Sequence, residues 1–362
     1  MNALKKTLSL LTLAGLTAAF VPLYAQQATT APANQPGARA GRGGRGGRGA
    51  PIPVDPKADA RLKTQGNVGA RVHDPSTIIE CDGEYWTFYT GQGVGSWHSK
   101  DLTNWVAGPR VFAAAPAWVP ENVPGHRGAD FWAPDVAKIG DRYVLFYAAS
   151  SFGKNTSAIG VAFNPTLNPA APNFKWTDQG MVIKSGQGTD YNAIDPAIFQ
   201  DTDKSLWLAF GSFWSGIRMI QLDPATCKRI KPDSPVYLLA HYSSIEAAYL
   251  YKHDGHYYLF MNWGACCRGT NSTYNIRVGR ADKVTGPYLD KTGTDLRNGG
   301  GTLVLGTDGD FIGPGHAGII TKGGQEFMSM HFYDGARGGA SELAIRPVSW
   351  SPDGWPIVGE RK

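Results

Sequence analysis

HDPSTIIECDGEYWTFYT, residues 73–90, holds a polar pair, a short apolar strand, an Asp-Gly turn and a second strand rich in aromatics. That order of residues reads as a β-hairpin. It returns four more times: APDVAKIGDRYVLFYAAS from Ala133, IDPAIFQDTDKSLWLAFGS from Ile194, IEAAYLYKHDGHYYLFMNW from Ile245 and GHAGIITKGGQEFMSMHFYDG from Gly315. The recurring polar positions are Asp74, Asp135, Asp195, Glu246 and His316, spaced 61, 60, 51 and 70 residues apart. Such a period leaves room for four strands and their loops per unit, the spacing of propeller blades. The expected fold is therefore all-β, a five-bladed β-propeller over residues 65–362. The innermost strand of each blade lines the central axis, so polar residues at its start converge on one end of the channel. An Asp before a strand also caps turns, which explains any one of these positions taken alone. Five in register favour a shared site.

The rest of the chain frames this unit. Residues 1–25 have two lysines, an apolar run from Leu8 to Leu23 and small residues before Gln26, the layout of a cleaved signal peptide. The run is shorter and weaker than the roughly 20 apolar residues of a spanning helix, so no membrane span is expected. Residues 26–64, centred on GARAGRGGRGGRGAP, are too poor in apolar side chains to offset their ordering entropy and read as a disordered tether. The formal charge of +5 resides mostly in this N-terminal part, and without it the chain is close to neutral. A basic pI therefore says little about the folded part's partner. Arg-Gly repeats also occur in nucleic-acid-binding segments, but an exported protein rarely meets such partners. The expected location is secreted or periplasmic, and the expected state a monomer.

Glycine and aromatics are abundant and charged residues few, at 18%. The four cysteines, Cys81, Cys227, Cys266 and Cys267, show no CxxC spacing, which argues against a zinc site. Adjacent Cys266 and Cys267 allow a vicinal bridge, two separately partnered thiols or simply small buried residues.

A ring of acids beside aromatic platforms is the equipment of glycoside hydrolysis: one carboxyl protonates the leaving oxygen while another activates water or attacks carbon. Phe131 and Trp132 precede the second acid, and Phe213 and Trp214 follow the third hairpin. A third carboxylate beside the acid can keep it protonated at neutral pH.

These residues carry a resemblance. HDPS, FWAPDV, YNAIDPAIF, FGSFWSGI, SSIEAAYL, CCRGTNSTYNIRVGR and GPGHAG, from about Val72 to Trp350, are similar in content and order to family-43 glycoside hydrolases, and within them to the endo-α-1,5-L-arabinanases. The resemblance implies an inverting mechanism on arabinan with a groove across the propeller face. It implies Asp74 as general base, Glu246 as general acid and Asp195 as the residue that tunes and orients the acid. Asp135 is outside that catalytic set and reads as structural. The resemblance also implies that His316 faces a metal ion, often calcium, with a buried hydrogen-bonded histidine as the equal alternative; no organic cofactor is expected. Phe131, Trp132, Asn192 and Ser212 are the candidate sugar contacts, from platform-plus-polar logic and the matching motifs. An exo-arabinofuranosidase or β-xylosidase on the same fold stays open, as does a non-catalytic carbohydrate-binding propeller.

Overall fold

The computed structural model describes Gly66 and residues 68–360, all within one compact unit, Pro53–Lys362. The leader (1–25) and the tether (26–64) lie outside the described residues. The described chain forms five antiparallel sheets in sequence order, the five blades of a β-propeller. Blade 1 runs through Ile79–Cys81, Glu84–Tyr89, Gly95–Ser99 and Val106–Ala107. Blade 2 comprises Asp130–Ile139, Arg142–Ala149, Ser157–Asn164 and Thr177–Ser185, with the short strand Gly91–Gln92 paired to the first of them. Blade 3 is built on Ala197–Gln200, Leu206–Phe210 and Ile217–Asp223, with the short outer strands Lys228–Arg229 and Tyr237–Ala240. Blade 4 holds Ile245–His253, His256–Trp263, Asn275–Ala281 and Thr302–Leu305. Blade 5 holds Phe311–Lys322, Gln325–Asp334, Ala340–Trp350 and Pro356–Val358.

The hairpin turns follow from their residues. Asp82-Gly83 and Asp254-Gly255 are two-residue turns with positive φ at both positions. That geometry matches the right-handed strand twist and favours Asp or Asn followed by Gly.

Second strands such as RYVLFYAA are apolar from Tyr143 onward because both faces are buried there. Tyr143, Leu145 and Tyr147 pack towards Trp86 and Phe88 of blade 1. Val144 and Phe146 pack towards Leu208 and Phe210 of blade 3. Five such apolar clusters fill the five blade boundaries. The last boundary is also closed by chain pairing: Val68 N–H donates to Leu343, while Leu343 and Ile345 donate back to Ala70 and Gly66.

One residue near the start of each inner strand has positive φ: Asp74, Ala133, Asp195, Ala247 and His316. The residues that follow them, Pro75, Pro134, Pro196, Ala248 and Ala317, line the central cavity. This is the true register of the repeat, and it corrects the expected one. Asp135 lies two positions after its blade's left-handed residue and Glu246 one before, with irregular pairing beside both. A one-residue shift turns a side chain to the other face, so the five polar residues do not occupy equivalent places.

Four of the five left-handed residues have their backbone N–H held by a side chain of the preceding blade. His331 Nδ1 accepts from Asp74, Thr90 Oγ1 from Ala133, Asp195 Oδ2 from Ala247 and Asn262 Oδ1 from His316, all at 2.8–3.1 Å. Asp135 joins the remaining boundary: its Oδ2 accepts from Ile198 N–H of blade 3 and its Oδ1 from Thr77 N–H of blade 1.

Candidate active site

Asp74 sits at the mouth among histidines and a hydroxyl. Its Oδ2 lies 2.8 Å from His73 Nδ1 and accepts from Thr90 Oγ1 at 2.8 Å. Its Oδ1 lies 3.5 Å from His316 Nδ1 and 3.7 Å from His331 Nδ1. Burial alone would push this carboxyl up, but His73 and His316 reverse that and hold it well below the usual carboxylate range. Burial disfavours charge on the two histidines in turn, and the Asp74 carboxylate more than offsets it, so both are raised. His331, fully buried behind them, is pushed well down by burial and then by the charge of His73.

Glu246 stands in a different setting, on the inner strand of blade 4. Its Oε2 accepts from Ser212 Oγ at 2.7 Å and its Oε1 from Tyr274 Oη at 2.6 Å. Burial pushes its carboxyl up against the pull of those two hydrogen bonds. Asp195 is pushed up to about 8, by burial first and by the Glu246 charge second. Two buried carboxyls that repel each other retain a proton at neutral pH as a pair. The mouth therefore holds one carboxylate kept ionised and a neighbouring pair kept partly protonated.

A charge-separated carboxyl set at the mouth of a five-bladed propeller fits a glycosidase, and the family comparison agrees: the model for glycosyl hydrolases family 43 matches residues 67–356. The chain belongs to glycosyl hydrolase family 43. It is 39% identical over 305 residues to an extracellular exo-α-(1→5)-L-arabinofuranosidase of Cellvibrio japonicus, covering 80% of this chain and 87% of that protein. It is 38% identical over 307 residues to an extracellular endo-α-(1→5)-L-arabinanase of Bacillus subtilis, covering 83% and 91%. Among solved structures, the Cellvibrio cellulosa α-L-arabinanase complexed with arabinohexaose superposes with a TM-score of 0.76 at 38% identity, covering 80% of this chain and 95% of that one.

The remaining candidates of this family-43 chain fall into two groups. Ser212 is at the site, but its hydroxyl is spent on Glu246. Asn192 is buried, and its Oδ1 accepts from Ser157 Oγ at 2.7 Å, so that oxygen supports the wall. Phe131 departs from expectation: it is 0% exposed and packs edge-on to Phe112 and Tyr147 in the core between blades 1 and 2. Alternation along the strand sends it into that core, away from a sugar. Trp132 is half-buried against the core between blades 2 and 3. Phe213 and Trp214, by contrast, are exposed beside Ser212, and Phe213 N–H donates to the carbonyl of Ile245, next to Glu246. Asp135 spends both oxygens on blade boundaries, which matches its structural reading.

His73, Thr90, Tyr274 and His331 escaped the sequence reading. His73 stood inside HDPS and Tyr274 inside NSTYN, but only folding reveals that they face the carboxyls. Cys266 and Cys267 form a vicinal disulfide, and Cys81 and Cys227 are buried free thiols.

Calcium takes six to eight oxygen ligands. The cavity beside His316 is walled by Pro75, Pro134, Pro196, Ala197, Ala248 and Ala317, with Thr77, Asp135 and Tyr249. Asp135 is already committed to two backbone N–H groups, and the two His/Cys/Asp clusters with metal-ligand spacing among the described residues exclude His316. This wall does not supply an oxygen-rich cage, so no catalytic step is derived through an ion.

Proposed function

We propose that this family-43 glycosidase is exported and cleaves α-1,5-linked arabinan within the chain, with inversion at the anomeric carbon. Asp74 is the general base, Glu246 the general acid, and Asp195 the neighbour that keeps the acid protonated. One observation carries the assignment: within one channel mouth, Asp74 lies against the imidazoles of His73 and His316, which hold it down, while Glu246 is buried among hydroxyl donors and is pushed up together with Asp195. Environments that separate carboxyl pKa values in this way separate base from acid.

In the reaction, a water oxygen forms the new bond to the anomeric carbon and gives its proton to Asp74. The glycosidic C–O bond breaks on the opposite side, and its oxygen takes the proton of Glu246. The exposed rings of Phe213 and Trp214 offer apolar faces for sugars. Arabinan as substrate rests on the relatives, which are named for α-1,5-arabinose-linked activities. Export rests on the leader and on two relatives named extracellular.

One similar protein is named as exo-acting, so single arabinose release is the second reading. Products from linear arabinan, aryl arabinofuranoside and aryl xyloside separate the two. A ladder of oligosaccharides early in arabinan digestion supports internal cleavage, arabinose as the sole early product supports the exo reading, and activity on xyloside alone refutes both. The mass of the mature N-terminus tests export.

A further inference from the structure

The segment between the second and third strands of blade 4 touches both sides of the carboxyl set. At one end Tyr274 Oη donates to Glu246. Nearer its start, Cys267 N–H donates to Tyr333 Oη at 2.7 Å, and Tyr333 Oη lies 2.8 Å from His73 Nε2. His73 Nδ1 in turn lies 2.8 Å from Asp74 Oδ2. A backbone N–H only donates, so the Tyr333 oxygen accepts there and its own proton is available to His73 Nε2. A neutral His73 must then carry its proton on Nδ1, aimed at Asp74. With both ring nitrogens protonated, Tyr333 accepts instead and the Nδ1–H bond to Asp74 is unchanged.

Cys267 anchors this relay in a left-handed backbone conformation, φ 63°, that non-glycine residues seldom adopt. Its covalent ring with Cys266 restrains that peptide. Cys267 is exposed and its Sγ lies 3.7 Å from His73 Nε2, so a reductant in solvent reaches the bridge.

We propose that the Cys266–Cys267 disulfide is a redox-sensitive support for the general base, with Tyr333 as the positioning residue that passes its geometry to His73 and Asp74. This rests on Asp74 being the base. A dithiol reductant would supply two electrons and two protons, break the S–S bond to leave two thiols, and itself close to a cyclic disulfide. Freed of the ring, the Cys267 peptide leaves its left-handed conformation, Tyr333 loses its donor, and His73 is no longer fixed on Asp74.

The test is wild-type enzyme before and after dithiol treatment, with thiol titration to confirm opening, alongside Tyr333→Phe, the double variant Cys266→Ala/Cys267→Ala, and Asp74→Asn. Reduction should lower kcat about three- to tenfold, the range of a lost hydrogen bond, with KM little changed. The acid limb of the pH profile should move to higher pH, because Asp74 loses a partner of its ionised form. Tyr333→Phe should show the same loss and no further response to reductant, since both act on one path. The double variant should behave as the reduced enzyme, and reoxidation of the wild type should restore its rate. Full thiol release with unchanged kcat and acid limb overturns the proposal, as does a Tyr333→Phe enzyme that still responds fully to reductant. If Asp74→Asn is inactive while reduction does nothing, the relay alone is wrong; if Asp74→Asn stays active, the base assignment is wrong.

Discussion

Asp74 on blade 1 and the Asp195–Glu246 pair on blades 3 and 4 are carboxyls near the starts of repeated inner strands, yet their surroundings differ in kind. Asp74 faces imidazoles from His73 and His316, whereas Glu246 accepts hydrogen bonds from the hydroxyls of Ser212 and Tyr274. The difference teaches that the repeat supplies position while the neighbours supply role. Cationic partners keep one carboxyl ionised, whereas burial first and mutual repulsion second keep a proton on the other pair, against the pull of its neutral hydrogen-bond donors.

The strongest way to break this contrast is Glu246→Gln, whose amide cannot deliver a proton. Arabinan cleavage should fall by at least about 10² to 10⁴-fold, the usual worth of general acid catalysis. An aryl arabinofuranoside, with its better leaving group, should lose much less. Near wild-type arabinan cleavage by this variant would remove Glu246 from the acid role.

His316→Ala probes the other side. Removing a ring that faces Asp74 Oδ1 should lower kcat roughly tenfold, of the order of one lost charge-assisted contact. Chelator treatment of the wild type should cost less, since the wall beside His316 is mainly proline and alanine. Loss on chelation equal to that of His316→Ala, restored by calcium, would instead place an ion on this ring.

Much of the fold was legible from residues 73–90 and their four echoes, because hairpin turns and doubly buried strands leave strong local signatures. The site was legible only in part. Asp74, Asp195 and Glu246 lie at the mouth as expected, but the true register runs through Ala133 and Ala247 rather than Asp135 and Glu246. An irregular pairing of one or two residues carries no signal in composition. Phe131 was misread for a related reason: an aromatic next to an exposed platform and one facing the core look alike until strand alternation is fixed.

The pH profile sharpens the contrast further. The acid limb should lie low, since Asp74 stays ionised well below the ordinary carboxylate range. The basic limb should reflect loss of the pair's proton, near the value of about 8 for Asp195. Asp195→Asn should draw that limb to lower pH, because a neutral amide no longer repels the ionised form of Glu246. A basic limb unmoved in this variant would detach Asp195 from tuning the acid.

Asp135→Ala should have the smallest effect on catalysis, with its cost falling on stability. It strips the buried N–H groups of Thr77 and Ile198 of their acceptor, each at about 1–3 kcal/mol. The melting temperature should drop while kcat of the folded enzyme is largely kept. A stable but inactive variant would mean that Asp135 belongs to the chemistry.

The division of labour between Asp74 and Glu246 is tested most directly by proton NMR of the first sugar released from arabinan, read before mutarotation. With Asp74 activating water and Glu246 protonating the leaving oxygen, the new reducing end appears first as the β-anomer, opposite to the α-linkage that was cut. An α-anomer appearing first, or a glycosyl group trapped on Asp74, would contradict the account.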